Sequence, residues 1–183
     1  MKIIRNLLRK IRYEIKFLGK KNDSNFYISN LRVDNNLTDL MNKYGSDKGG
    51  LNNHHNYSSF YSEIFGIKRK SIKNFLEVGL GTNNTAIPSN MGESGKPLAS
   101  LKAWRDYFPN ANIFGADIDK EILKDENRIN TCFVDQTNPS TISEMFKNFG
   151  VDKYDIIIED GLHEYNANIT FFENSISYLS NDG

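Results

Sequence analysis

The chain has one cysteine, Cys132, one tryptophan, Trp104, and four prolines among its 183 residues. A lone cysteine excludes an intramolecular disulfide and a cysteine-rich zinc site, and it suits a reducing cytosol. Set in the apolar string Thr131-Cys132-Phe133-Val134, it reads as a small core residue. No run of about eighteen apolar residues is present, so no membrane-crossing helix is expected. Neither a secretory leader nor an internal repeat is recognisable. Charge of one sign is not in excess either, with 23 basic and 23 acidic side chains.

That neutrality hides a polarised chain. Residues 1–21 hold eight basic side chains against one acid, Glu14, a net +7, which leaves 15 basic and 22 acidic residues, a net −7, in the rest. Ile4, Leu7, Leu8, Ile11, Ile15 and Leu18 recur at helical spacing, so 1–21 is expected to be a basic amphipathic helix. Such a helix suits peripheral contact with the anionic inner face of the cytoplasmic membrane. Docking on its own acidic domain or on a partner subunit, as in a homo-oligomer, suits it equally. An acidic body argues against nucleic acid as partner. Residues 22–36 are polar and read as a linker, and 37–183 as one α/β domain.

Within that domain, short apolar strings end in acids or glycines. Lys73 to Val78 runs into Gly79-Leu80-Gly81-Thr82, Ile113 to Ile118 into Asp119, Thr131 to Val134 into Asp135, and Tyr154 to Ile158 into Glu159-Asp160-Gly161-Leu162-His163. Helical spacing lies between them, at Leu98–Phe108 and at Ile142, Met145, Phe146 and Phe149. Repeated strand–helix units imply a doubly wound, mainly parallel, Rossmann-like sheet with every strand end on one edge. The last string matters most. Asp160 can hold a hard divalent cation, and His163 can accept a proton near neutral pH. A plainer reading makes Asp160 a helix cap and His163 a surface residue.

The first turn lacks the third glycine of a dinucleotide fingerprint, since Asn83-Asn84 follow Gly81-Thr82. Glu77, two residues before Gly79, would repel a phosphate and suit a ligand with an amino or sulfonium group, such as S-adenosylmethionine. Asp117 or Asp119 can accept ribose hydroxyls, and Asp135-Gln136 can hydrogen-bond an adenine edge. An NAD-dependent sugar-nucleotide oxidoreductase and a non-catalytic partner subunit with this fold are the competing readings.

Asp47-Lys48-Gly49, His55-Asn56-Tyr57, Leu76-Glu77-Val78-Gly79, the stretch from Ser100 to Ala111, Asp135-Gln136 and Asp160-Gly161-Leu162-His163, taken together in this order, resemble the macrocin and mycinamicin type of sugar O-methyltransferases, class I S-adenosylmethionine enzymes. The resemblance implies Mg²⁺ as second cofactor with Asp160 as ligand, His163 as the base for the acceptor hydroxyl, and a lid that draws on Asp47, Lys48, His55, Tyr57 and Tyr61. Many relatives are encoded with polysaccharide or antibiotic genes, so a hydroxyl of a cell-surface glycan or its activated precursor is the expected acceptor. The family's other metal carboxylates follow a fifth strand, and the sequence reads as stopping before it, so catalysis by these residues alone is not expected.

Overall fold

The structure, a computed structural model, describes residues 35–50 and 55–181. The basic segment 1–21 and residues 22–34 of the expected linker lie outside them. Helix α1 (Asn36–Tyr44) starts where Asn35 caps it. The Asn35 side chain accepts the Thr38 N–H at 2.9 Å, and Gly45 closes the helix in the left-handed region. A single 3-10 turn, Asp47–Gly49, follows. Helix α2 (Tyr57–Phe65) has no counterpart among the expected elements. Its aromatic and aliphatic residues have helical spacing, but Phe60 and Ile64 are about half exposed at 53% and 50%, so no single apolar stripe marks it.

Strands β1 (Asn74–Val78), β2 (Asn112–Asp117), β3 (Ile129–Phe133) and β4 (Ile156–Glu159) pair in the order β3-β2-β1-β4, all in parallel. Helix α3 (Ala99–Tyr107) lies between β1 and β2 in the chain, α4 (Pro139–Phe149) between β3 and β4, and α5 (Tyr165–Ser175) follows β4. The doubly wound expectation holds, for side chains alternate along each strand into two cores. Phe75, Ile113, Ile156 and Ile158 pack with Leu37, Met41, Leu101, Trp104 and Phe108 on one face. Leu76, Val78, Phe114 and Ala116 pack with Ile142, Met145, Phe146 and Phe171 on the other.

Strand β3 begins two residues before the expected Thr131. Arg128 fixes that start: its φ is +59°, and its guanidinium donates to the carbonyls of Arg105, Phe108 and Ala111 at 2.8 to 3.0 Å. Cys132 is half-buried and free, and burial pushes its thiol up to about 12. On the outer side of β4, Leu179 forms a parallel bridge with Tyr154, and the Ser180 N–H donates to the Tyr154 carbonyl at 2.8 Å. The register pairs Val78 with Ala116 and with Glu159, which brings the carboxyl ends of the central strands to one edge.

Candidate active site

A cavity of about 600 Å³ opens at that edge, the place where ligands bind in open parallel sheets. The turn after β1 forms its floor. Gly79 and Gly81 have φ of +89° and +76°, a region that side chains rarely adopt. A Cβ on Gly79 would also collide with the Asp160 carbonyl, so the turns after β1 and β4 touch only because Gly79 has none. The Asp160 N–H donates to the Val78 carbonyl at 2.8 Å across the same contact.

The acids expected to hold the ribose separate in the fold. Asp117 lies on the cavity wall, and its two oxygens accept the N–H groups of Leu80, at 2.6 Å, and Asp119, at 2.8 Å. Burial raises its pKa, against the lowering effect of those backbone hydrogen bonds. Asp119 is not on the wall. It accepts the Thr82 hydroxyl and caps the turn Lys120–Ile122 through the Glu121 N–H. Thr82 lines the cavity, and so do Asp135 and Gln136. The Asp135 carboxylate accepts from Thr137, both the N–H at 2.9 Å and the hydroxyl at 2.6 Å.

Glu77 does not reach the cavity. Strand alternation sends it to the α3 face, fully buried, where Trp104 Nε1 donates to one oxygen at 3.0 Å and Lys48 Nζ lies 3.3 Å from the other. Trp104 thus packs within its helix, with ring centroids 4.9 Å from Phe75 and 5.7 Å from Phe108. Burial raises the pKa of Glu77, Asp160 adds to that, and Lys48 opposes it. Lys48 is itself 5% exposed and reaches Asp160 Oδ2 at 2.6 Å and Asp47 at 3.8 Å. Burial disfavours its charge, but Glu77, Asp160 and Asp47 outweigh that and raise its pKa.

Asp160 and His163 are brought together, with His163 Nε2 3.5 Å from Asp160 Oδ1 and the imidazole side chain 61% exposed beside the cavity. His163 has a φ of +58°, a turn conformation rather than a helical one. Asp47, Lys48, His55 and Tyr57 stand on the wall, the His55 ring stacked on Tyr57 at 4.7 Å. Tyr61 does not. It packs on Trp104 and Phe65, and burial, with Asp160 and Glu77 adding, pushes its phenol up to about 12. Two features escaped the sequence reading: the wall segment Ile87 to Met91, in which the Ser89 hydroxyl donates to the Leu162 carbonyl at 2.8 Å, and Lys96, which also lines the cavity. The cluster Pro88-Ser89-Asn90 after the glycine turn was the available signal for that segment.

Toward S-adenosylmethionine the residues fit, because the open glycine turn and a buried acid at the end of β2 share one cavity wall. Toward Mg²⁺ the wall offers Asp160, and among the described residues no group of three or more His, Cys, Asp or Glu is arranged to hold a metal.

No protein-family model matches the chain. In sequence it is 29% identical over 147 residues to the 8-demethyl-8-alpha-L-rhamnosyl tetracenomycin-C 2'-O-methyltransferase of Streptomyces olivaceus, over 80% of this chain and 35% of that protein. It is 32% identical over 144 residues to a tetracenomycin-C 3'-O-methyltransferase of the same organism, over 79% and 34%. With the mycinamicin VI 2''-O-methyltransferase of Micromonospora griseorubida it shares 30% over 127 residues, or 69% and 29%. A crystal structure of the MycE methyltransferase from the mycinamycin pathway, in complex with Mg and SAH, superposes with a TM-score of 0.65 at 25% identity, covering 80% of this chain and 37% of that one. The chain spans about a third of the length of the curated relatives it matches.

The parallel sheet and its strand-end cavity have the class I methyltransferase fold. Within that class the chain is similar, over about a third of their length, to sugar O-methyltransferases of the macrocin and mycinamicin type.

Proposed function

We propose that the protein takes part in S-adenosylmethionine-dependent, Mg²⁺-assisted O-methylation of a sugar hydroxyl in a cell-surface polysaccharide or its activated precursor. The juxtaposition of Asp160 and His163 at the mouth of a cavity floored by Gly79 and Gly81 carries this reading. Related proteins that methylate sugars of antibiotic glycosides support the acceptor class. When bound, the cofactors supply a sulfonium methyl and acidification of the acceptor hydroxyl.

Each residue then has a role. The turn from Gly79 to Thr82 receives the cofactor backbone, Asp117 the ribose, and Asp135 the adenine side. Asp119 supports the site through Thr82, and Glu77 through Lys48. The His163 imidazole takes the hydroxyl proton, and its exposure leaves the ring open to an acceptor. Asp160 lies within reach of both His163 and a metal, whose other oxygens would come from water, the acceptor, or groups outside the described residues. Asp47, Lys48, His55 and Tyr57 contribute the part of the cavity wall that reaches the β4 end through the Lys48–Asp160 contact.

S-adenosylhomocysteine should raise the melting temperature by several degrees at a hundredfold excess over its Kd, a stabilisation of roughly 2.7 kcal/mol, while NAD should leave it unchanged. Stabilisation by NAD alone would return the protein to the oxidoreductase reading.

No helix among the described residues is long and apolar enough to cross a membrane. The basic composition of 1–21 supports peripheral contact with an anionic cytoplasmic leaflet. Deleting 1–21 should abolish co-sedimentation with phosphatidylserine vesicles and leave S-adenosylhomocysteine affinity intact. A dimer-to-monomer change with unaltered vesicle binding would instead identify a subunit contact.

A further inference from the structure

The Asp160-Gly161-Leu162-His163 turn carries both groups assigned to the chemistry, yet it has no regular structure of its own, so something else must hold its shape. Its backbone polar groups show what does. The Gly161 N–H donates to Glu159 Oε1 at 2.9 Å, and the Leu162 N–H donates to Gln136 Oε1 at 2.8 Å. The Gln136 amide then donates from Nε2 to the same Glu159 Oε1 at 2.9 Å, which closes a ring of three hydrogen bonds across the ends of β3 and β4. Gln136 is 7% exposed, and a Cβ on Gly161 would collide with its Oε1, so the fit is tight on both sides.

The orientation of this amide is fixed by chemistry. A carboxylate cannot donate, so Nε2 must face Glu159, and Oε1 is left to accept from Leu162. Strand alternation places Glu159 on the face opposite Asp160, which itself turns to Lys48. The two sides of the β4 end are therefore divided: Asp160 looks toward the catalytic side, and Glu159 grips the turn from behind. The bond from Ser89 to the Leu162 carbonyl adds a third anchor.

We infer that Gln136 and Glu159 form a positioning pair that locks the Asp160–His163 turn, and that Gln136 serves the site through this clamp more than through contact with the cofactor. The inference rests on the proposed methyltransferase reading for the purpose of the clamp, but the clamp itself can be tested without it.

The swap of the pair is the decisive experiment. Gln136→Glu sets two carboxylates against each other, so amide hydrogen exchange over 160–163 should accelerate by roughly tenfold or more, the worth of one to two hydrogen bonds. The S-adenosylhomocysteine Kd should change by less than about threefold on the same scale. Gln136→Glu combined with Glu159→Gln restores a donor facing an acceptor, and protection should return to near the wild-type value. Should Gln136→Glu fail to fold, Gln136→Met removes the hydrogen bonds without adding charge and should show the same faster exchange. Where methyl transfer is measurable, kcat should fall in Gln136→Glu and recover in the double variant, with KM for the cofactor nearly constant. Unchanged exchange in the single variants, or no recovery in the double, overturns the inference. Loss of S-adenosylhomocysteine binding without faster exchange would do so as well, and would make Gln136 a cofactor ligand. If the wild-type protein binds no S-adenosylhomocysteine, the methyltransferase reading fails while the exchange results still decide the clamp.

Discussion

Replacing Lys48 by methionine is expected to destabilise the protein by about 3–5 kcal/mol near pH 8, the usual consequence of removing one member of a buried ion pair. Among the described residues Lys48 is the cation that pairs with Glu77, which is fully buried, and the same ammonium also contacts Asp160. Methionine fills the volume of the lysine stem without answering the charge. The variant should then relieve itself by protonating Glu77, whose pKa burial already raises. A carboxyl with a folded pKa above its unfolded value of roughly 4.3 binds the extra proton in the folded state, so stability falls as pH rises through that window. The defect should therefore be smaller at pH 5 than at pH 8 in urea denaturation. Adding Glu77→Gln should recover most of the loss and flatten the pH dependence. A Lys48→Met protein within 1 kcal/mol of wild type at pH 8, on the scale of an exposed pair, would show that the cage contributes little.

His163→Ala should lower methyl-transfer turnover by roughly a hundredfold or more, the contribution of a positioned general base. Because the His163 side chain is 61% exposed, the variant should melt within about 0.5 kcal/mol of wild type and bind S-adenosylhomocysteine normally. Asp160→Asn should act differently. It removes a charged ligand from a hard cation and a partner from Lys48, so its defect should appear as a higher Mg²⁺ requirement that excess metal partly relieves. Excess metal cannot restore a missing base. Wild-type turnover in His163→Ala, measured with saturating acceptor and rate-limiting methyl transfer, would return His163 to the role of a surface residue in the turn.

The contrast between Glu77 and Asp160 shows how far the sequence could be read. Both are acids at strand ends, and the periodicity that exposes one face of a strand and buries the other was legible for each. Alternation puts Glu159 and Asp160 on opposite faces, and the structure turns them to Gln136 and to Lys48 respectively. For Glu77 the same periodicity left open which helix would cover the face. The choice fell to Trp104 and Lys48, which turn a presumed cofactor contact into the floor of an ion cage.

By itself the sequence determined the order of strands and helices, the open glycine turn at Gly79 and Gly81, and the delivery of Asp117, Asp135, Asp160 and His163 to one edge, because those follow from local periodicity and the parallel topology it requires. Helix α2 and the early start of β3 were not determined that way: the first has no single apolar stripe, and the second depends on Arg128 reaching the carbonyls at the end of α3. Only the tertiary structure decided that Asp117 faces the cavity while Asp119 and Tyr61 stand behind it, that Lys48 bridges Glu77 and Asp160, and that Gln136 grips the catalytic turn. Those contacts join residues far apart in the chain, and their partners are selected by packing, burial and the pairing of charges, which no local pattern records.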